Sequence, residues 1–349
     1  MAYSDIKDPS AYFQTLLWTG NSTDGRALTN DGNSDLQPDW VWLKNRNAGY
    51  NHFLQDSSRG NTKILRSDST AAESTSTNFV ESFDTNGFTV GFDGSQVPNF
   101  NGNTFVAWQW KANGGTTVSN TDGDLRNVTV QANQDAGFSI VEFLGGTTPY
   151  TAGHGLGVAP DVIISKRRGA TVGWYVYHKD VGAGKYLQIN NANAAVTSAT
   201  EAFTSAPTST IFTGGTGVGG ASDYWINYCF ASKQGYSKFG SYVGNGRTDV
   251  PFIYTGFKPA WIMVKDTESS GDNWQILDTK RDPHNPQLKY LQADNENAEG
   301  SFTFVDILSN GFKFRSTYSV GPNVNGHKTI YMAFAENPFV AGGIPTTAR

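Results

Sequence analysis

Two carboxylate–guanidinium pairs stand at one offset in the chain, Asp56 with Arg59 and Asp278 with Arg281, three residues apart in each case. On a loop that leaves a strand, such a pair does one of two things. It pins the loop as an ion pair, or it offers a planar hydrogen-bonding fork to a polar ligand such as a glycan. Loop pinning is the expected role and glycan contact the sharper alternative. Between the two pairs, the matching place holds His178 and Val181. Trp174 and Trp274 stand directly before the strands that lead to His178 and Asp278, with His52 at that place in the first third of the chain. Most aromatic residues on strands are core, but a tryptophan exposed at a loop end stacks on sugar rings. The candidate glycan contacts are therefore Trp174, Trp274, Asp56, Asp278, Arg59 and Arg281. Acid–base catalysis asks for two groups whose pKa values are pushed apart in one cleft, and no spacing in the sequence marks such a pair.

The other reactive residue types are dispersed. The histidines His52, His154, His178, His284 and His327 have no zinc-ligand spacing. Asp31-Gly32-Asn33-Ser34-Asp35 and Asp294-Asn295-Glu296-Asn297 are oxygen-rich like calcium loops, but neither fits the twelve-residue pattern with its closing Glu, and both read as solvated turns. The glycine run over residues 214–220 has no following helix and no Lys-Ser/Thr, which argues against a phosphate loop. Cys229, the one cysteine, lies in an aromatic strand and reads as a buried thiol. No catalytic, metal or cofactor-binding residue is expected.

The elements that position these residues recur three times. A proline opens an alternating apolar strand at Pro38-Asp39-Trp40-Val41-Trp42-Leu43-Lys44, Pro160-Asp161-Val162-Ile163-Ile164-Ser165-Lys166 and Pro259-Ala260-Trp261-Ile262-Met263-Val264-Lys265. Each run ends in Lys. An aromatic strand with a glycine turn precedes each, ending at Gly20, Gly145 and Gly244. Lys63-Ile64-Leu65, Lys185-Tyr186-Leu187 and Lys289-Tyr290-Leu291 follow, and an aromatic strand closes each copy at Trp110, Phe230 and Phe334. Asn86-Gly87 and Asn310-Gly311 mark hairpin turns in copies one and three. Four landmarks in one order, at a period of about 100 residues, exceed a solenoid or propeller repeat and suit a small β-sandwich. In Trp40-Val41-Trp42-Leu43-Lys44, alternation puts Trp40, Trp42 and Lys44 on one face, Val41 and Leu43 on the other.

The expected fold class is all-β: three tandem β-sandwich repeats, jelly-roll or concanavalin-like, in an elongated or pseudo-threefold body. The expected division is an N-terminal arm over 1–11, repeats over 12–111, 138–232 and 236–337, a linker over 112–137 and a C-terminal tail over 338–349. Val128-Thr129-Val130 reads as one added strand within the linker, and residues 192–195 and 295–299 read as single helical turns. Charged residues are only 16%, so Asn, Ser, Thr and many of the 39 glycines must supply the polar surface. A net charge of -5 argues against nucleic acid. No apolar run is long enough for a membrane helix, and no secretory leader opens the sequence.

The stretches Met1-Ala2-Tyr3-Ser4, Gln37-Pro38-Asp39-Trp40-Val41-Trp42, Gly153-His154-Gly155-Leu156-Gly157-Val158-Ala159-Pro160, Tyr236-Ser237-Lys238-Phe239-Gly240-Ser241-Tyr242 and Gly342-Gly343-Ile344-Pro345-Thr346-Thr347-Ala348-Arg349 resemble an uncharacterised family of repeat proteins of marine tailed phages. The resemblance covers essentially the whole chain. It implies a virion setting, tail-fibre-like or lectin-like, and carries over no site residue. The expectation is thus a non-enzymatic virion structural protein made in the host cytoplasm. It would serve as a tail fibre or appendage adhering to host-surface glycans, with capsid decoration or head fibre as the alternative and a polysaccharide-degrading tailspike as the second. Other virion proteins are the expected partners. A homotrimer docked through the N-terminal arm is also expected, because large apolar faces call for symmetric association.

Overall fold

Alternation decides which way each side chain of the proline-led strands points. In Trp40–Asn45, Trp40 and Trp42 enter one apolar cluster while Val41 and Leu43 enter another. In the computed structural model, residues 4, 6–94, 97–220, 222–248, 250–315, 321–338, 340–341 and 344–345 are described. They form an all-β structure of several sheets, with one short 3-10 turn at Pro9–Ala11. Among the described residues, no helix is long and apolar enough to cross a membrane.

One strand order occurs three times. In space it runs Phe13–Thr19, Thr104–Trp110, Trp40–Asn45, Phe53–Asp56 in the first segment. It runs Phe138–Leu144, Tyr224–Phe230, Val162–Arg167, Tyr175–His178, Lys185–Gln188 in the second. It runs Ser237–Val243, Lys328–Pro338, Phe257–Asp266, Gln275–Asp278, Gln287–Gln292 in the third. The register matches residue by residue. Trp40 lies between Trp110 and Asp56, Val162 between Phe230 and His178, and Trp261 between Phe334 and Asp278.

Each main sheet has two buried faces. The outer face is covered by further strands: Arg26–Thr29, Gly87–Val90 and Val80–Asp84 in the first segment, Tyr150–Gly153 and Ile211–Gly214 in the second, and Ile253–Tyr254, Gly311–Phe314 and Gly300–Leu308 in the third. A separate apolar cluster fills each of these three spaces. The inner faces of all three sheets share one further cluster. At its centre the three closing aromatics meet mutually, Trp110 to Phe230 at 6.4 Å, Trp110 to Phe334 at 5.7 Å and Phe230 to Phe334 at 5.9 Å between ring centroids. Matching residues meeting at one point define a pseudo-threefold axis.

Four expectations change. Much of the linker over 112–137 is structured: Val118–Asn120 and Val128–Asn133 pair with each other, and the latter pairs with Phe138–Leu144. Asp39 accepts from the backbone N–H groups of Ala112, Gly114 and Gly115 at 2.7–2.9 Å, which ties the start of this stretch to the first sheet. The helical turns at 192–195 and 295–299 are irregular loops: Ala195 N–H and Glu299 N–H cross to carbonyls of a neighbouring segment, while Asn193 N–H and Asn297 N–H are held by the side chains of Asn191 and Asn295. The N-terminal arm packs on the body where it is described. Ile6 joins the shared core, Ser4 Oγ donates to Gln234 O at 2.8 Å, and Asp8 caps the 3-10 turn. Residues 1–3 and 5 lie outside the described residues. In the C-terminal stretch Val340–Ala341 pairs with Ile344–Pro345, and residues 339, 342–343 and 346–349 lie outside the described residues.

Candidate functional site

The strand Phe53–Asp56 delivers Asp56 to a loop that curls back so that Arg59 reaches it. Arg59 Nε donates to Asp56 Oδ2 at 2.5 Å and Arg59 N–H to Asp56 Oδ1 at 2.8 Å. Nη2 donates to Leu54 O at 3.0 Å, and Nη1 meets Glu73 Oε2 at 3.0 Å. Both side chains of the pair are fully buried. The second segment closes over them. Tyr228 OH donates to Asp56 Oδ2 at 2.7 Å, and Arg168 grips Glu73 through Nε and Nη2, each at 2.8 Å. Burial by itself would lower the Arg59 pKa; Asp56, Tyr228 and Glu73 hold it above its ordinary value. Burial pushes Tyr228 well up, so its hydroxyl stays a donor. Burial also raises Glu73, but the bond from Arg168 and the charge of Arg59 bring it below its usual value.

The Asp278–Arg281 pair repeats this geometry against the first segment. Nε to Oδ2 is 2.5 Å, N–H to Oδ1 2.8 Å, Nη2 to Ile276 O 2.9 Å and Nη1 to Glu299 Oε2 3.1 Å. Trp108, which matches Tyr228, donates Nε1–H to Asp278 Oδ2 at 3.0 Å. Arg46, which matches Arg168, grips Glu299 at 3.0 and 3.1 Å.

At the third junction, between the second and third segments, every polar member is replaced. His178, Val181, Ala195, Thr267 and Met332 occupy the five places. The backbone contact beneath is retained: Ala195 N–H donates to Thr267 O at 2.9 Å, as Glu73 N–H does to Arg168 O and Glu299 N–H to Arg46 O, both at 2.7 Å. Replacement of the whole set has a physical reason. Any acid or guanidinium of the set left alone would be a buried charge without its partner. Burial lowers His178 to about 4, so it sits there neutral, its Nε2 3.4 Å from Tyr331 O.

The tryptophans serve the same junctions. Trp174 Nε1–H donates to Arg66 O at 2.8 Å and Trp274 Nε1–H to Gln188 O at 3.0 Å. His52 meets Gln292 O through Nε2 at 2.9 Å, while its Nδ1 accepts from Trp42 Nε1–H at 2.9 Å. Each crosses to the matching carbonyl of a neighbouring segment. Both tryptophan rings are at most 1% exposed, and Asp56, Asp278, Arg59 and Arg281 are buried too. None of the six offers a face to a sugar, because the three sheets meet over them.

Sequence reasoning missed the lysines that end the proline-led strands, although their fixed place after the proline was the signal. Lys44 Nζ donates to Tyr50 O at 2.6 Å and to Glu296 O of the third segment at 2.9 Å. Lys166 Nζ donates to Val172 O at 2.9 Å, Ala170 O at 3.1 Å and Thr70 O of the first segment at 3.2 Å. Burial lowers both to about 8. Of the two oxygen-rich runs, Asp31 pairs with Lys280 at the surface, and Asp294 Oδ1 accepts Trp274 N–H, with burial raising its carboxyl to about 6. Among the described residues no group of three or more His, Cys, Asp or Glu side chains gathers to hold a metal. The arrangement is cyclic, so the three segments close on one another within one chain.

A family model described as a domain of unknown function, DUF7483, matches residues 8–338. The chain belongs to this family. The matched span takes in all three segments and every residue of the junctions, so the ring of three is what the DUF7483 domain comprises here. No curated protein matches the sequence.

Proposed function

We propose that this chain is three tandem β-sandwich repeats closed into a ring, and that it serves as a non-enzymatic structural protein on the surface of a tailed-phage particle. The observation that carries the reading is what the reactive residues are used for. The acid–guanidinium pairs, Trp174 and Trp274, and the strand-ending lysines Lys44 and Lys166 join one segment to the next, while Lys265 bonds Asp266 O within its own segment. A chain that spends its buried charges on internal junctions is suited to stay rigid while exposed. The low charge and the Asn, Ser, Thr and Gly surface support a particle exterior, and the likeness to marine-phage repeat proteins supports the virion setting. Adhesion to host glycans falls to the outer surface of the protein and not to the six residues read from the sequence.

The test is gold-labelled antibody against this protein on whole particles, viewed by electron microscopy. Label on the tail or capsid exterior is expected, and particles without label, with the protein left in the lysate, would overturn the reading. Incubation with host envelope polysaccharide should yield no new reducing ends; their appearance would favour a tailspike enzyme.

A further inference from the structure

Three strands hold the same place in the three main sheets, as their pairing with the closing strands shows: Phe13 opposite Trp110, Phe138 opposite Phe230 and Ser237 opposite Phe334. Their outer edges are treated differently. On Phe138–Leu144 the chain adds its own strand, Val128–Asn133, with Thr129 opposite Glu142, Val130 opposite Val141 and Gln131 opposite Ile140. Val128 and Val130 extend the outer core of that segment. Gln131 reaches back to the preceding segment, donating to Ser57 Oγ at 3.0 Å and Ser58 Oγ at 2.9 Å.

On Ser237–Val243, no strand among the described residues covers that edge. A groove of about 410 Å³ follows five consecutive edge residues, Lys238 to Tyr242. Lys179 and Asp180, which match Ser57 and Ser58, stand at it, and Phe252 and Tyr254 form a wall, exposed by 44% and 47%. Tyr236 O accepts from Ala335 N–H, so alternation turns the N–H and C=O of Phe239, Ser241 and Val243 outward. Phe239 N–H meets Ser232 Oγ at 3.2 Å, and Ser241 faces the groove. On the first segment the comparable place keeps a groove of about 370 Å³ along Phe13 to Thr15, narrowed by the loop at residues 31–33, which is held by Gly32 N–H to Gln14 Oε1 at 2.9 Å and by the Lys280–Asp31 pair at 2.6 Å.

We infer that the edge of Ser237–Val243 is a docking site for an extended segment of a partner polypeptide, which adds to the sheet antiparallel as Val128–Asn133 does on Phe138–Leu144. Edge addition draws affinity from main-chain hydrogen bonds and specificity from alternate side chains. The chain's own strand defines those side chains. An apolar residue opposite Gly240, in the place of Val130, lies against Phe252 and Tyr254. A hydrogen-bonding residue opposite Phe239, in the place of Gln131, reaches Lys179 and Asp180. Lys238, with its ammonium 5.1 Å from the centre of the Tyr254 ring, places a charge on the edge that disfavours pairing of two identical copies. The partner is therefore a different chain. This inference does not depend on the virion reading.

The test titrates the ¹⁵N-labelled full chain with a synthetic peptide of the sequence of residues 127–134, the chain's own solution to an equivalent edge. Saturable shifts and slowed exchange of the Ser241 and Val243 amides are expected. Ser241→Pro removes the outward N–H and leaves the inward ladder in place, and should abolish the effect. Should that variant misfold, the double variant Phe252→Ser, Tyr254→Ser should weaken binding at least tenfold. Unchanged Ser241 and Val243 amides, or undiminished binding to either variant, would overturn the inference. So would shifts confined to Ile140 and Glu142, which mean strand exchange at the chain's own site. A dimer without peptide that Ser241→Pro dissociates would assign the edge to a second copy and overturn it equally.

Discussion

Replacement of Arg281 by valine should be far more damaging than the removal of its whole network. The Arg281 guanidinium is fully buried and bonds Asp278, Glu299 and Ile276 O, and it lies 5.7 Å from the centre of the Trp108 ring. Arg281→Val leaves Asp278 as a buried carboxylate with no countercharge, a loss of about 3–5 kcal/mol. The shared core makes the chain one cooperative unit, and at 349 residues its unfolding entropy is about 0.7 kcal/mol/K. A loss of about 4 kcal/mol therefore lowers the thermal midpoint by about 5 °C. The fourfold variant Asp278→His, Arg281→Val, Glu299→Ala, Arg46→Thr installs four of the five residues found at the third junction. Trp108 is kept, because an indole N–H donates to an imidazole nitrogen, as Trp42 does to His52. This variant should lose less than half of what Arg281→Val loses. Thermal unfolding by circular dichroism, with denaturant midpoints as a second measure, reads both. A fourfold variant at least as unstable as the single one would refute the reasoning that these charges are tolerated only as a set.

Trp174→Phe and Trp274→Phe should each lose about 1–3 kcal/mol, since each leaves a carbonyl of the neighbouring segment without its donor, and chemical denaturation measures it. Phe334→Ala, at the pseudo-threefold axis, should lose about 3–5 kcal/mol in the same assay. Acid should weaken the fold through His178. Its folded pKa of about 4 lies below the 6.5 of the unfolded chain, so the unfolded state takes up the proton first as pH falls from 6.5 towards 4. Stability then declines by at most about 1.4 kcal/mol per pH unit from this group. His178→Gln should flatten that part of the stability–pH curve, and an unchanged slope would remove His178 as its source.

The landmarks that recur along the sequence located the matching strands, and the structure gives them one register. Trp40, Val162 and Trp261 are opposite Trp110, Phe230 and Phe334, as their common spacing required. The match of His52 with Trp174 and Trp274 was also legible, as was that of His178 with Asp56 and Asp278. Burial was not. A tryptophan before a strand reads the same whether its ring faces water or a neighbouring sheet, and only the meeting of three sheets put Trp174 and Trp274 inside. The strand Val128–Asn133 was half legible, because an added edge strand has no counterpart in the other copies to mark it.

Local patterning thus determined the elements: period-two alternation assigned Trp40 and Trp42 to one face, Val41 and Leu43 to the other, and the Asn-Gly turns placed the hairpins. Tertiary structure decided closure. That Arg59 meets Tyr228, Arg281 meets Trp108 and Lys44 meets Glu296 O joins residues more than 160 positions apart. No spacing encodes such a pairing. It follows from three sheets that each carry a second apolar face, a face that leaves water only by packing against the other two.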